Sequence, residues 1–374
     1  MNLIPRENHF IWMRYLAAFS IMLSHSRQFN TAPDNYSSIA ATLTWLYPGV
    51  PVLFFISGFL ISLSSTNSKS LTEFLVKRVL RIYPPLWAAF GVSVVTIFAT
   101  GMVQFDTLNW LSFIAWSAGQ LTFVFFYHPD FLSHVGTGVF NCSLWVIPVI
   151  LQFYLVAPML GRIDRKWQAS NKPYLIYGVL LACAIFNIVF HYFHNHHTSN
   201  VTKVIHFLTF LPWLFFFVLG YVFARDFRKI QPLFKSATFW VICHLVLFYL
   251  LNQLGFKWGR NDINPLLFVF LAMFVMSIGF KPQSKFKAFN QLENTLGRND
   301  ISFGLFVYHM AVLNTIMYLG VFESNWFARC LLFFGVTIAV STASLFLLEK
   351  PIRNRRDSII ALLTSRQKKS SDPA

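Results

Sequence analysis

The sequence predicts an all-α, polytopic membrane protein with about ten transmembrane helices and one re-entrant or interfacial segment. Of its 374 residues, 56% are hydrophobic and only 12% are charged. The mean hydropathy is +0.54, and long apolar runs recur along nearly the whole chain. A soluble globular domain is less apolar and more highly charged than this.

Each apolar segment is close to the roughly 20 residues that a helix needs to cross about 30 Å of hydrocarbon. Buried helices of a soluble protein would account for one or two such runs, but not for eleven. In chain order, the eleven segments are residues 10–29, 45–63, 83–103, 107–127, 142–160, 174–193, 204–224, 238–254, 264–280, 301–320 and 327–348.

Positive charge is concentrated in alternate connections between these segments. The formal net charge is +16, and most Lys and Arg residues lie in 64–82, 161–173, 225–237, 281–300 and the tail from 349. Excess Lys and Arg is typical of cytoplasmic loops, so we expect both termini in the cytoplasm. Basic loops also suit contact with the headgroups of the lipid bilayer. This distribution explains the charge without a nucleic-acid partner.

The same asymmetry determines the expected number of crossings. Segments 64–82 and 161–173 are both expected inside, so an even number of crossings separates them, yet three apolar segments lie between. Segment 107–127 carries polar residues that include Asn109 and Gln120, and its flanking loops contain no Lys or Arg. We therefore predict that 107–127 is re-entrant or interfacial, which leaves ten crossings.

One integral membrane domain is expected over residues 1–355, followed by a basic cytoplasmic tail at 356–374. The first apolar segment contains Arg14 and His25, which argues against a cleavable signal peptide. The four cysteines show no pairing pattern and are interpreted as small buried hydrophobic residues.

Arg14 and His25 are ionisable residues inside the first apolar segment. They are eleven positions apart, so eleven helical steps of about 100° place them on one face, roughly 16 Å apart along the axis. A charge in hydrocarbon costs a few kcal/mol, which makes both residues functional candidates. Imidazole can take a proton from a hydroxyl at neutral pH. The alternative is that Arg14 reaches the inner interface and His25 only hydrogen-bonds a neighbouring helix.

Several motifs follow one another in the order of a known family. The run from Arg14 to His25 resembles the Arg-x10-His signature of membrane acyltransferase family 3, the O-antigen acetylase group. The resemblance covers about residues 8–355. Its other motifs are Gly49–Ile61, an Arg-x-x-Arg motif (Lys77, Arg78, Arg81, Tyr83, Pro84), a Leu-Trp motif (Ser143, Trp145, Pro148, then Tyr154), Gly297 with Ser302, Tyr308 and His309, and Leu348 to Pro351.

The resemblance implies an integral O-acyltransferase of the bacterial inner (cytoplasmic) membrane. It implies transfer of an acyl group, usually acetyl, from cytoplasmic acyl-CoA to a hydroxyl of a cell-surface polysaccharide, a lipopolysaccharide O-antigen or a lipid-linked sugar. Acyl-CoA is then a donor substrate, with no permanently bound cofactor. His25 and Arg14 become the candidate catalytic residues: His25 as the base, Arg14 as a cation that holds the donor or organises the polar path. A two-step route through acyl-His25 stays open, as does the oligomeric state.

Arg78, Arg81 and Lys77 lie on an expected cytoplasmic loop just before Tyr83 and Pro84. Guanidinium groups suit phosphate because they present paired donors in a planar fork. CoA carries a 3′-phosphate and a diphosphate, so we interpret these residues, with Tyr83, as the donor-binding set. Ordinary positive charge on a cytoplasmic loop is the alternative.

Five further residues are weaker candidates for substrate contact or for lining a cavity. Each of them is about equally compatible with simple packing. They are Ser143, Trp145, Tyr154, Tyr308 and His309.

The chain departs from the family pattern at three positions. Ile150 stands where many members have a glutamate, and Ile11 and Pro51 stand where an acidic residue is common. These changes leave open which carboxylate, if any, accompanies His25. Two other interpretations therefore stay in view: a catalytically degenerate homologue, and a glycan or glycolipid transporter or flippase. A transporter would spread ionisable residues over several helices, whereas here the pair on the first helix and the Arg-x-x-Arg motif dominate.

A run of four histidines, His191, His194, His196 and His197, is expected at an outer loop. Clustered histidines can bind a metal. Because no Cys or carboxylate lies near them in the sequence, we favour a solvated loop or a glycan contact and predict no metal site.

Overall fold

The structure is a computed structural model, and in it the chain is all-helical. No strand occurs among the described residues, which confirms the predicted all-α class. Of the predicted tail at 356–374, only 358–360 lie within the described part of the chain. The described residues are 8–29, 34–256, 261–281, 285–355 and 358–360.

The eleven apolar segments all coincide with helices. Short 3-10 turns connect several of the helices. A π-helical turn, Leu345–Glu349, joins the last two α-helices of the chain. In chain order the α-helices are α1 Phe10–Ser26, α2 Asp34–Leu46, α3 Gly49–Asn67, α4 Leu71–Ala99, α5 Trp110–Leu121, α6 Val146–Ala169, α7 Leu175–His196, α8 Asn200–Leu208, α9 Leu214–Arg225, α10 Phe227–Ile230, α11 Ala237–Gln253, α12 Pro265–Gly279, α13 Lys287–Arg298, α14 Ser302–Tyr318, α15 Trp326–Ser344 and α16 Lys350–Asn354.

Several helices are long and apolar enough to cross a bilayer, so the chain is a multi-pass membrane protein. The described residues contain five such stretches, or up to eight if each of three bent helix pairs forms one span. The predicted count of ten is therefore not confirmed, and the cytoplasmic placement of the termini stays a prediction. The five stretches are Tyr36–Asn67, Leu71–Ala99, Cys142–Ala169, Leu175–His196 and Trp326–Asn354.

Segment 107–127 forms the short helix α5. Its 12 residues extend about 18 Å at 1.5 Å per residue, which is too short to cross the hydrocarbon. The side chain of Asn109 accepts a hydrogen bond from the Ser112 amide and so begins the helix. This length agrees with the prediction that the segment does not span.

The chain divides into two compact units. Unit 1 contains α1 to α3, most of α6, and α7 to α13, whereas unit 2 contains α4, α5 and α14 to α16. The described residues of unit 1 fall within 1–27, 34–66 and 149–302, and those of unit 2 within 28–33, 67–148 and 303–374.

Two glycines let α3 approach its neighbours closely in unit 1. A Cβ added at Gly49 would lie 2.3 Å from the carbonyl oxygen of Ala17 on α1, and one at Gly58 would lie 2.1 Å from that of Phe217 on α9. Small residues at such positions allow backbones to pack without a clash. The second family motif, Gly49–Ile61, therefore has a packing role.

Tyr47, in the connection between α2 and α3, holds the middle of α1. Its hydroxyl donates a hydrogen bond to the carbonyl of Met13 at 3.1 Å. Its own carbonyl accepts one from the Ser20 hydroxyl at 2.6 Å. These two bonds fix the stretch of α1 that carries Arg14.

Side-chain amides hold the loop before α6 in unit 2. Asn314 on α14 donates to the carbonyl of Phe140 at 2.9 Å and accepts from the amide of Thr137 at 2.8 Å. Asn141 donates to Gln120 of α5 at 3.2 Å. A buried amide without a partner would be costly, so these pairings stabilise the loop that leads to the Leu-Trp motif.

Candidate active site

Helix α1 carries both leading candidates. Arg14 begins its second turn and His25 lies in its last turn. By helical geometry their side chains share one face, about 16 Å apart along the axis. Both side chains are half-buried. The predicted placement on a single helix is confirmed, and their catalytic roles stay predictions.

Arg14 forms an ion pair with Asp300, a residue that sequence reasoning missed. The guanidinium Nη1 lies 2.9 Å from Asp300 Oδ2. The other carboxylate oxygen accepts hydrogen bonds from the Ser302 amide at 3.0 Å and the Ser302 hydroxyl at 2.6 Å. The available signal was the short polar run just before the apolar segment 301–320, in which Asp300 is the acid nearest Ser302.

Further contacts fasten the first half of α1 to α13 and to the turn that follows it. The Tyr15 hydroxyl donates to the carbonyl of Asn299 at 3.4 Å and accepts from the amide of Ile301 at 3.2 Å. The imidazole of His9 pairs with the carboxylate of Glu293 on α13. Arg14 therefore extends from a helix that is held on both sides of it.

The other end of α1 packs against α2, which sets the position of His25. The Ser26 hydroxyl hydrogen-bonds the hydroxyl of Tyr36 at 2.9 Å, and Arg27 Nε donates to the Ser37 hydroxyl at 3.4 Å. The backbone carbonyl of His25 accepts the Arg27 amide and closes the helix. A fixed backbone with a half-buried imidazole suits a group that must meet a substrate.

The predicted donor-binding residues lie inside α4, so their assignment to a loop was wrong. The helix begins at Leu71, and the Ser70 side chain accepts a hydrogen bond from the Glu73 amide. A Ser-x-x-Glu sequence is a start signal for a helix, and the charge-based interpretation overlooked it. Lys77, Arg78 and Arg81 therefore project from the second and third turns of α4.

Helical spacing brings the two arginines of this set together. Arg78 and Arg81 are three residues apart on α4 and so share a face. The Lys77 ammonium is paired with the Glu73 carboxylate. The guanidinium of Arg78 lies 5.9 Å from the centre of the Phe74 ring, and Arg81 is exposed. Two adjacent guanidinium groups, each with paired N–H donors, can bind phosphate oxygens.

The aromatic candidates have mainly packed environments. The ring of Tyr83 is half-buried and lies 5.6 Å from that of Trp87. Trp145 is half-buried, and Tyr154 is 5% exposed. Their predicted contact with a substrate stays a prediction.

Ser143 and the pair Tyr308–His309 are buried in unit 2. The Ser143 hydroxyl donates to the carbonyl of Phe306 on α14 at 3.3 Å. Tyr308 and His309 are 1% and 0% exposed, and His309 Nδ1 lies 3.1 Å from the carbonyl of Leu305. The structure thus brings the Leu-Trp motif and the Tyr308–His309 motif together.

The last family motif is linked to α14 through Ser344 of α15. The Ser344 hydroxyl donates to the Glu349 carboxylate at 3.4 Å, and the Tyr308 hydroxyl hydrogen-bonds Ser344. Glu349 closes the π-helical turn at the end of α15. A widened turn of this kind often marks a functional position.

The candidates are distributed over both units. Arg14, His25 and Tyr154 belong to unit 1, as does Asp300. The remaining candidates belong to unit 2, and they are Lys77, Arg78, Arg81, Tyr83, Ser143, Trp145, Tyr308 and His309.

Comparison with known proteins gives matches over most of the chain. The family described as "Acyltransferase domain" matches residues 8–347. Nodulation protein 10 of Rhizobium leguminosarum bv. viciae is 26% identical over 375 residues, which cover 95% of each chain. The O-acetyl transferase of Shigella phage Sf6 is 27% identical over 154 residues, 40% of this chain and 45% of the phage protein. No solved structure matches significantly.

Proposed function

We propose that this chain, which belongs to membrane acyltransferase family 3 and is an O-acyltransferase, transfers an acetyl group from cytoplasmic acetyl-CoA to a sugar hydroxyl. The acceptor is a cell-surface polysaccharide or a lipid-linked sugar. One observation carries the proposal: α1 presents a proton acceptor, His25, on the same helix as a cation, Arg14, that Asp300 holds in place. The name of the phage relative supports acetyl as the group and oxygen as the acceptor atom.

The proposed reaction needs one proton acceptor. An imidazole nitrogen of His25 takes the proton of the sugar hydroxyl while its oxygen attacks the thioester carbonyl carbon. A C–O bond forms, the tetrahedral intermediate collapses, and the C–S bond breaks. Coenzyme A leaves as a thiolate and receives the proton from the imidazolium, which restores neutral His25. The alternative route passes the acetyl group through His25 itself.

Arg14 acts as a positioning residue in this mechanism. Its charge is already balanced by Asp300 at 2.9 Å, so its main contribution is to orient polar groups on the face that leads to His25. Misplacement of such groups by about 1 Å can slow a reaction about a hundredfold.

We assign Arg78, Arg81, Lys77 and Tyr83 to the CoA end of the donor. The guanidinium forks of Arg78 and Arg81 project from one face of α4 and suit the diphosphate and 3′-phosphate groups. The proposal places the start of α4 at the cytoplasmic side of the bacterial inner membrane, where acyl-CoA is found. Lys69 precedes α4 and Lys77, Arg78 and Arg81 lie near its start, whereas the connection after it, 100–109, contains no Lys or Arg. This difference in charge between the two ends of α4 supports that orientation.

A transfer assay tests the proposed function. The purified full chain receives acetyl-CoA labelled in its acetyl group, together with a cell-envelope glycan or lipid-linked sugar. Ester formation and release of free thiol are measured. We expect wild type to acetylate the glycan, His25→Gln to lose the activity, and Arg162→Gln, which changes an exposed arginine on α6, to retain it.

Other results of this assay would contradict the proposal. Acetylation by His25→Gln at the wild-type rate would exclude His25 as the base. Movement of glycan across a vesicle membrane without ester formation would identify a transporter. An acetylated His25 formed before acceptor is added would replace direct attack with the two-step route.

A further inference from the structure

Three metal-ligating side chains meet in unit 1, outside the residues assigned to acyl transfer. They are His191 on α7, His206 on α8 and Asp262 in the connection before α12. One ligand atom of each residue lies within 4.8 Å of those of the other two. The three come from separate parts of the sequence, so only the fold brings them together.

The cluster is shielded from water. His191 and His206 are 7% and 8% exposed, and the side chain of Asp262 is 14% exposed. His191 Nδ1 lies 2.9 Å from Asp262 Oδ1. Within the described ranges, the buried Nε2 of His191 has no hydrogen-bond partner. Buried polar groups of this kind are costly unless a partner or an ion satisfies them.

Neighbouring contacts orient the ligands as the surroundings of a metal centre do. Asn195 donates to Oδ2 of Asp262 at 3.3 Å, which leaves Oδ1 directed at His191. The ring of His194 stacks on that of His206 with centroids 4.6 Å apart, and the indole of Trp213 donates to the carbonyl of His206 at 2.9 Å. Such supporting contacts commonly fix the ligands of a metal.

We propose that His191, His206 and Asp262 bind one Zn²⁺ ion. Two imidazoles and a carboxylate form a common Zn²⁺ ligand set, with water as the fourth ligand of a tetrahedron. Tetrahedral bonds of about 2.0–2.2 Å separate the ligand atoms from one another by about 3.3–3.6 Å. The ligand atoms of the three residues now lie within 4.8 Å of one another, so small side-chain rotations bring them to these distances. Ca²⁺ and Mg²⁺ bind almost entirely through oxygen ligands. The two imidazole ligands therefore favour Zn²⁺ or a transition-metal ion over either of them.

The sequence alone favoured no metal because the histidine run 191–197 has no carboxylate beside it. The carboxylate comes instead from Asp262, and only one member of that run, His191, belongs to the cluster. The bound ion would cross-link the end of α7, helix α8 and the connection before α12. We therefore assign it a stabilising role that is independent of acetyl transfer.

Metal titration of the full-length protein tests this assignment. The protein is purified without a polyhistidine tag and stripped with a chelator, and Zn²⁺ affinity is then measured by competition with a chromophoric chelator. We expect one Zn²⁺ per chain and a higher thermal unfolding midpoint in its presence, because an ion that binds only the folded state stabilises it. His191→Gln and Asp262→Asn should each weaken binding at least tenfold. His197→Gln, an exposed histidine of the same run, should leave binding unchanged.

A second measurement needs no variant and so does not depend on variants that fold. Co²⁺ bound by wild type should give the intense visible absorption of a tetrahedral site, which added Zn²⁺ should abolish. The assignment is overturned if wild type binds neither ion with a stoichiometry of one. It is also overturned if His197→Gln weakens binding as much as His191→Gln, or if Asp262→Asn binds Zn²⁺ as tightly as wild type.

Discussion

The guanidinium of Arg14 lies 2.9 Å from the carboxylate of Asp300 and joins α1 to the turn before α14. The two side chains are only 19% and 17% exposed, so each charge has lost much of its hydration. The same carboxylate accepts two hydrogen bonds from Ser302. The orientation of Arg14 and the geometry of this turn are therefore coupled.

Removal of both charges should destabilise the protein less than the two single removals added together. Arg14→Gln and Asp300→Asn each leave the other charge poorly hydrated and unpaired. The double variant should lose less than the sum of the single losses, by about 0.5–3 kcal/mol. Unfolding in mixed micelles measures these values, with Lys229→Gln as a control because Lys229 is 75% exposed and exposed pairs contribute little. Strictly additive losses would contradict the coupling.

Asp300→Asn should also slow acetyl transfer, although Asp300 is assigned no contact with a substrate. Without its carboxylate the guanidinium of Arg14 can turn away from its present direction, and misplacement of this kind costs up to about a hundredfold in rate. We expect kcat to fall at least tenfold while KM for acetyl-CoA changes little. Asp106→Asn, at an exposed position in unit 2, is the matched control. A large rise in KM with unchanged kcat would indicate a donor-binding role instead.

The long apolar runs predicted the apolar helices well, because runs of about 20 residues have few alternatives in a membrane. The spacing of Arg14 and His25 likewise predicted their common helix. Asp300 was not predictable in this way, because its partner lies almost 300 positions away and only packing of α1 against the turn at 299–302 joins them. The departures at Ile150, Ile11 and Pro51 left open which carboxylate accompanies His25. The carboxylate that the structure does show on this face belongs to Asp300 and pairs with Arg14.

At the start of α4, the density of basic residues concealed the sequence signal that begins a helix. The density of Lys and Arg over 64–82 indicated a loop, but Ser70 and Glu73 begin a helix within that range. Charge asymmetry reports the side of the membrane, and it does not report where a helix starts. The predicted crossing count of ten depended on the same segment boundaries and is not confirmed.

His25→Gln should slow turnover strongly without unfolding the protein. A general base typically contributes about 10²–10⁴-fold to a rate, so kcat should fall within that range, with KM for acetyl-CoA nearly unchanged. His197→Gln makes the same chemical change at an exposed position and should be fully active. Thermal unfolding of both variants should match wild type. A lower unfolding midpoint only for His25→Gln would assign His25 a structural role.

Arg78→Gln and Arg81→Gln should each raise KM for acetyl-CoA about 10- to 150-fold with little change in kcat. Each variant removes a charged fork that is worth about 1.5–3 kcal/mol when it binds phosphate. Wild type should also bind acetyl-3′-dephospho-CoA more weakly than acetyl-CoA. The arginine that contacts the 3′-phosphate is then the one whose variant no longer distinguishes the two donors. Equal discrimination by wild type and both variants would place the 3′-phosphate elsewhere, and Arg162→Gln controls for net charge.

Gly58→Ala should destabilise unit 1, whereas Gly91→Ala should not destabilise unit 2. The new methyl at Gly58 would lie 2.1 Å from the carbonyl oxygen of Phe217, so α3 and α9 must separate at a cost of about 1–3 kcal/mol. Gly91 lies on α4 with nothing within 4 Å of an added Cβ. Alanine is a better helix former there, by up to about 1 kcal/mol.

Thermal unfolding of the two glycine variants decides whether backbone contact or helix propensity governs these positions. If α3 and α9 touch as closely as the distance at Gly58 requires, the two variants must shift the midpoint in opposite directions. A shift of the same sign and size would mean that both glycines act only through the helix backbone. Gly178→Ala on α7, where an added Cβ also meets nothing within 4 Å, extends the control to unit 1. It should follow Gly91→Ala, because an open helical surface in either unit gains from alanine in the same way.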